Sequence, residues 1–251
     1  MINRIFIIES IPAGEKLTGK ELYDDIITRY ITFFNHEIKS EYHFVESRKD
    51  FLKALNILQE NISDEYETIL HIEAHGGNEE IHFSNLETLK WTDLENYLVE
   101  INKISKNNLH LNLATCYGMH VAEKISLKNT APYKSFTSAL RELSPLEIIN
   151  DNSILYEEII KTRNIFQGFE NFIQKQKSTQ LRIKDTKTAL EYILTSQIML
   201  FLNASPNFDL KLFFDHYLNI EIDNSTLQKI TEPKEKIEYI LKIFCKRYFP
   251  Q

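Results

Sequence analysis

The sequence predicts an α/β protein: a mostly parallel sheet flanked by helices, with a helical C-terminal part. Three observations carry that expectation. Short apolar runs alternate with segments of helical period from residue 2 to about residue 150. Strand, helix, strand, helix in that order implies parallel strands joined by crossovers, with both faces of the sheet covered. Beyond about residue 150 the alternation fades and helical spacing dominates.

The elements follow in order. Arg4–Glu9 is a short apolar run and reads as the first strand. Residues 19–34 then place Leu22, Ile26, Ile27, Tyr30, Phe33 and Phe34 at helical spacing. Tyr42–Val45 reads as a second strand, and Asp50–Ile62 repeats the helical pattern through Phe51, Leu55, Leu58 and Ile62. Thr68–His75 is a third strand, stopped by Gly76 and Gly77, and Ile81–Phe83 is a minor one. Thr92 fits the N-cap of the next helix, with Glu95 completing a capping box before Leu98 and Ile101. Leu109–Cys116 is a fourth strand, a short helix starts at Gly118 and runs through Ile125, and residues 133–140 read as a fifth strand. Ile154–Ile160, Ala189–Leu202, Leu210–Tyr217 and Lys234–Phe249 read as helices, the last with Pro233 in its first turn. The expected division is an α/β domain over 1–175 and a helical extension over 176–251 packed on it.

Composition removes several classes of function. The chain has 251 residues, 29 basic and 36 acidic side chains, a net charge of −7, and six glycines, where ordinary usage gives roughly 18. Collagen-like, glycine-linker and glycine-rich phosphate-loop readings fall away. No apolar run is long enough for a membrane-spanning helix. The run Ile5–Ile8 reads as a strand and not as a signal peptide, so Cys116 and Cys245 are expected as reduced thiols in a cytoplasmic protein. The acidic balance argues against a nucleic-acid partner, and the basic stretch Lys175–Lys187 reads as a solvated loop.

The third and fourth strands end at His75 and Cys116. One crossover helix joins them as parallel strands; if they are neighbours they lie about 4.8 Å apart, with their carboxyl ends at the pole where open α/β sheets place chemistry. A cysteine needs help there, because a free thiol near pKa 8.5 is mostly protonated at neutral pH. An imidazole beside it takes its proton and returns it to a leaving amine. Gly76 follows the histidine directly, so its amide can approach a substrate carbonyl, and the Cys116 amide is a second oxyanion donor. Gly118 lets the chain turn from strand into helix. Half of the scarce glycines, Gly76, Gly77 and Gly118, lie within two residues of His75 or Cys116.

The stretch Ile69-Leu70-His71-Ile72-Glu73-Ala74-His75-Gly76-Gly77, followed by Leu111-Asn112-Leu113-Ala114-Thr115-Cys116-Tyr117-Gly118, resembles the caspase-like cysteine peptidases. Within that group it looks most like the bacterial CHAT peptidases. Histidine and cysteine stand 41 residues apart, near the roughly 50 of caspases, and Leu89–Leu94 resembles the start of the family's crossover helix. The resemblance covers residues 2 to about 160. It implies a caspase-like sheet and a cysteine endopeptidase, with His75 as base, Cys116 as nucleophile, and the Gly76 and Cys116 amides as the oxyanion hole. It also implies no cofactor and a protein substrate, often a dedicated partner in a bacterial defence or regulated-death system. The Gln-Ala-Cys triplet of animal caspases is Ala114-Thr115-Cys116 here, which argues against caspase-type aspartate specificity. No processing linker is visible, which argues against maturation by cleavage.

Two other chemistries fit parts of the pattern. His71, Glu73 and His75 project to one face of a strand, and with Cys116 or His120 they make a donor set for zinc; the same residues serve equally as supports beneath the pair. Alternatively the fold is a catalytically silent interaction scaffold, with Phe213, Phe214, Tyr217, Tyr239, Phe244, Tyr248 and Phe249 in the tail as core or docking residues. If the enzyme prefers a basic side chain before the scissile bond, Glu142 and Glu147 are the candidate pocket residues.

Overall fold

The apolar runs become neighbouring strands. In the computed structural model, which describes residues 1–116, 118–119, 121, 129–139, 141–204, 226, 229–230 and 232–249, β1 (Ile2–Ser10), β2 (Lys39–Phe44) and β3 (Glu67–Gly76) lie beside β6 (Leu109–Ala114) and β7 (Ser135–Ala139). The order across the sheet is β2-β1-β3-β6-β7-β8, with β8 spanning Leu181–Asp185. Every pair along this path is parallel except β7–β8, which is antiparallel. A hairpin of β4 (Glu80–His82) and β5 (Thr88–Lys90) pairs antiparallel with the end of β3.

Strand alternation sorts the core into two layers. Phe6, Ile8, Leu70, Ile72, Leu111 and Leu113 face one way and bury against α3 (Arg48–Asn61) and α4 (Trp91–Ile104). Ile5, Ile7, Ile69 and Ala139 face the other way and meet α5 (Pro145–Thr162) and α6 (Ile165–Lys175). A helical run also covers that face: α1 (Thr18–Glu21), a π-helical segment (Leu22–Ile27) and α2 (Thr28–Phe34). The near-continuous apolar character of β1 and β3 follows from this two-sided cover.

The tail forms a third cluster. Leu190, Leu194 and Ile198 of α7 (Thr186–Ala204) pack with Ile237, Ile240, Phe244 and Tyr248 of α8 (Pro233–Tyr248), and Phe249 closes the cluster. Tyr239 is half-buried against it. The Ala131 amide donates to the Tyr248 carbonyl at 2.7 Å, tying the tail to the segment that leads into β7. Phe213, Phe214, Tyr217 and the expected helix Leu210–Tyr217 lie outside the described residues. Among the described residues no helix is long and apolar enough to cross a membrane.

Several boundaries differ from the sequence expectation. The stretch expected as a solvated loop contributes β8, because Leu181 is buried while Arg182 and Lys184 point outward along an antiparallel edge. Helix α4 starts at Trp91, with Lys90 at the cap position and no side-chain cap, so Thr92 and Glu95 form no capping box. Trp91 sets that start: it is buried, its amide donates to Glu79 and its indole donates to the Gly77 carbonyl at 3.0 Å. Helix α5 begins well before Ile154, under a capping box of Ser144 and Glu147 with Pro145 in the first turn. Helix α6 was not anticipated; Asn164 caps it through the amides of Phe166 and Gln167, both at 3.0 Å.

Candidate active site

The register of β3 on β6 places the two chemical residues. Thr68 pairs with Leu109 and Glu73 with Ala114, a constant offset of 41 residues. His75 lies two residues beyond Glu73 and Cys116 two residues beyond Ala114, past the last paired position. His75 lies at the carboxyl end of β3 and Cys116 in the turn that follows β6. The backbones touch there: a Cβ added to Gly76 would fall 2.8 Å from the Cys116 carbonyl oxygen. Glycine is therefore a packing requirement beside Cys116.

Gly118 is a second such position. A Cβ there would collide with Ser138 Oγ and come within 2.8 Å of Thr115 Oγ1. Ser138 is buried and its hydroxyl donates to the Leu113 carbonyl at 3.0 Å, so it cannot swing aside freely. Gly118→Ala should destabilise the protein by about 1–3 kcal/mol, as read by chemical denaturation. An unchanged midpoint would mean that this turn is not packed as described. Gly118, Met119 and Val121 lie in a 3₁₀ turn after Cys116; Tyr117 and His120 lie outside the described residues.

His75 is half-exposed, and its Nε2 is 2.9 Å from a Glu15 carboxylate oxygen that is equally exposed. Glu15 sits in the loop after β1 and was not singled out by sequence, since nothing local marks a partner 60 residues away. The Cys116 thiol is partly buried. Burial and the nearby Glu142 carboxylate push it up, against hydrogen bonds from the amides of Leu143 and of Cys116 itself. In this state the thiol is held by backbone and the imidazole by a carboxylate.

The two candidate pocket glutamates have different surroundings. Glu142 acts on the Cys116 thiol through its charge. Glu147 accepts from the Ser144 amide at 2.9 Å and the Ser144 hydroxyl at 2.8 Å, and pairs with Arg141 at 2.6 Å. Those bonds draw its carboxyl down to about 2. Ser-Pro-Leu-Glu is a visible capping sequence, and it explains why a glutamate stands at that position.

Beneath the pair lies a buried polar cluster. His71 is fully enclosed, with Nδ1 3.0 Å from the Tyr156 hydroxyl and Nε2 3.3 Å from Glu73. Glu73 faces Glu9 across the β1–β3 register. Glu9 accepts from the Gly19 and Lys20 amides at 2.8 and 3.0 Å and from the Tyr42 hydroxyl at 2.6 Å. Burial pushes the Glu73 carboxyl up to about 8 and the His71 imidazole down to about 4, so both are neutral near pH 7. Burial, with the Glu73 carboxyl close by, also raises Glu9. Both ring nitrogens of His71 are thus engaged within this cluster. Among the described residues no three His, Cys, Asp or Glu side chains are arranged to hold a metal ion.

Comparison of whole structures places the fold. A secreted C11 cysteine protease from Bacteroides thetaiotaomicron, solved with an irreversible peptide inhibitor, superposes with a TM-score of 0.50 at 9% identity, over 95% of this chain and 83% of that one. The fold is caspase-like. The Arg-specific cysteine proteinase gingipain R matches at a TM-score of 0.44 and 9% identity, over 70% of this chain and 43% of that one. No protein-family profile and no curated protein matches the sequence. His75 and Cys116 stand at the carboxyl ends of the central parallel strands β3 and β6 of this fold.

Proposed function

We propose that this chain is a cysteine endopeptidase, of the CHAT type within the caspase-like group, with Cys116 as nucleophile and His75 as general base and acid. The observation that carries the reading is the shared 41-residue register that brings His75 and Cys116 to neighbouring strand ends of a caspase-like sheet. The thiol gives its proton to the imidazole and the sulfur attacks the scissile carbonyl carbon. The amides of Gly76 and Cys116 receive the oxyanion. The imidazolium then protonates the leaving amine, and water hydrolyses the thioester by the same path in reverse. With Nε2 of His75 held by Glu15, Nδ1 is the nitrogen left to exchange that proton.

Glu142 fits a pocket for a basic side chain, because its charge already reaches the reacting sulfur. A bound lysine or arginine would neutralise it and remove one of the two influences that hold the thiol protonated. The proposed substrate is a specific protein partner in a defence or regulated-death system, and the two free thiols support a reducing, cytoplasmic setting.

The test compares wild type with Cys116→Ala in an extract of the native host, reading new protein N-termini. Wild-type-specific cleavage at one or a few proteins is expected; identical N-terminal profiles would favour the silent-scaffold reading. On a cleaved sequence with a basic residue before the scissile bond, Glu142→Gln should lower kcat/KM about ten- to hundredfold, the worth of one charged hydrogen bond. Equal loss on neutral substrates would remove Glu142 from the pocket.

A further inference from the structure

At the amino ends of β6 and β7, the pole opposite His75 and Cys116, a cavity of about 800 Å³ opens between α7, α8 and the turns entering those strands. Its wall carries Lys106, Lys134, Lys187, Lys242 and Lys246, in a chain whose net charge is −7. Two carboxylates, Glu191 and Glu238, also line it. Lys106 is answered by Asp64 at 2.9 Å, Lys134 by Glu67 at 2.5 Å and Lys187 by Glu191 at 4.0 Å. Lys242 and Lys246, exposed and one turn apart on α8, form no ion pair among the described residues. Like charges held one turn apart repel, and a bound anion relieves that repulsion.

The rest of the wall is not simply basic surface. Leu241 and Phe249 give it an apolar side, and Asn107 and Asn108 form part of its rim. Lys106 and Asn107 take consecutive left-handed backbone conformations, φ 51 and 61. Their amides donate to the carbonyls of Lys103 and Asn102, and Asn107 Oδ1 accepts from Asn102 Nδ2 at 3.1 Å. That turn is fixed before any ligand arrives, which lowers the ordering cost of binding.

We propose that this cavity binds a small molecule with several phosphate charges on a partly apolar body, the chemistry of a nucleoside polyphosphate. Lysine ammonium groups serve as point charges for phosphate, and the volume falls in the range of small-molecule pockets. Lys242 and Lys246, unpaired among the described residues, share one cavity with an apolar side; that favours a compact ligand over a nucleic-acid strand, which needs an extended basic track. The inference concerns binding alone and is independent of peptidase activity.

Calorimetric titration of the full chain tests it with four probes: ATP, tripolyphosphate, inorganic phosphate and a single-stranded oligonucleotide. ATP should bind most tightly, tripolyphosphate less and phosphate least. The double variant Lys242→Gln/Lys246→Gln should lose at least about tenfold in ATP affinity, while Lys39→Gln/Lys177→Gln, with both sites exposed and outside the cavity lining, should stay within about twofold. No ATP binding at millimolar concentration, or the same loss in both double variants, would overturn the proposal. Tripolyphosphate binding as tightly as ATP would refute the apolar-body requirement, and tighter binding of the oligonucleotide would make the cavity part of a nucleic-acid surface.

Discussion

A Cys116→Ala protein should leave every substrate uncut, and His75→Ala should slow cleavage by about a hundred- to ten-thousandfold, the usual worth of a positioned general acid and base. Both follow from a thiol that is not self-activating. Burial and Glu142 push Cys116 up, so its thiolate is scarce at neutral pH unless a base takes the proton. The second cysteine supplies an internal control. Burial and Glu191 push the Cys245 thiol up to about 11, so alkylation at pH 7 should fall on Cys116 first and be slower there in His75→Ala. Glu142→Gln should act oppositely, bringing Cys116 down and quickening its alkylation. Mass spectrometry of the alkylated peptides and steady-state kinetics read these effects. Cleavage that survives Cys116→Ala, or is indifferent to His75→Ala, would refute the dyad.

Glu73→Gln should change how stability depends on pH. The folded Glu73 carboxyl is raised from an ordinary 4.5 to about 8. Its contribution is therefore complete below about pH 4.5 and is lost as pH rises through about 8, when the fold must either hold a buried charge or open. Glu9, raised in the same direction, adds a slope of the same sign. His71 runs the other way: lowered to about 4, it contributes above an ordinary 6.5 and loses that contribution as pH falls through 4. Wild type should thus lose stability toward both acid and alkali. Glu73→Gln should keep the acid limb and flatten the alkaline one, the gap near pH 9 being on the order of a few kcal/mol. Denaturant midpoints from pH 4 to 9 measure this, and parallel curves would mean that Glu73 is ionised in the folded protein.

What the sequence made legible was whatever depends on local pattern. Apolar runs such as Ile5–Ile8 and Ile69–Leu70 announced buried strands, and the 41-residue spacing of His75 and Cys116 turned out to be the strand register itself. What was hidden depends on contact at long range. Glu15 reaches His75 across 60 residues, and Glu9 meets Glu73 only because β1 and β3 pair. β8 was obscured because an edge strand alternates one buried residue with exposed basic ones, a weak signal beside a turn. Helix α4 shows tertiary override: the indole of Trp91 outweighs the cap available at Thr92. In the opposite sense, Ser144-Pro145-Leu146-Glu147 is a local capping pattern, and the charge of Glu147 serves the helix start.

The strand β8 also determines where the chain tolerates division. It covers β7 along five paired positions, from Ser135–Asp185 to Ala139–Leu181. A fragment ending near residue 175 keeps His75 and Cys116 yet strips that cover, leaving the amides and carbonyls of β7 open to pairing with another molecule. Such a fragment would self-associate through its bare edge, whatever the tail does for recognition. A cut after Asp185 keeps the sheet closed on that side, so loss of a partner after such a cut would report on α7 and α8 and not on a sticky strand.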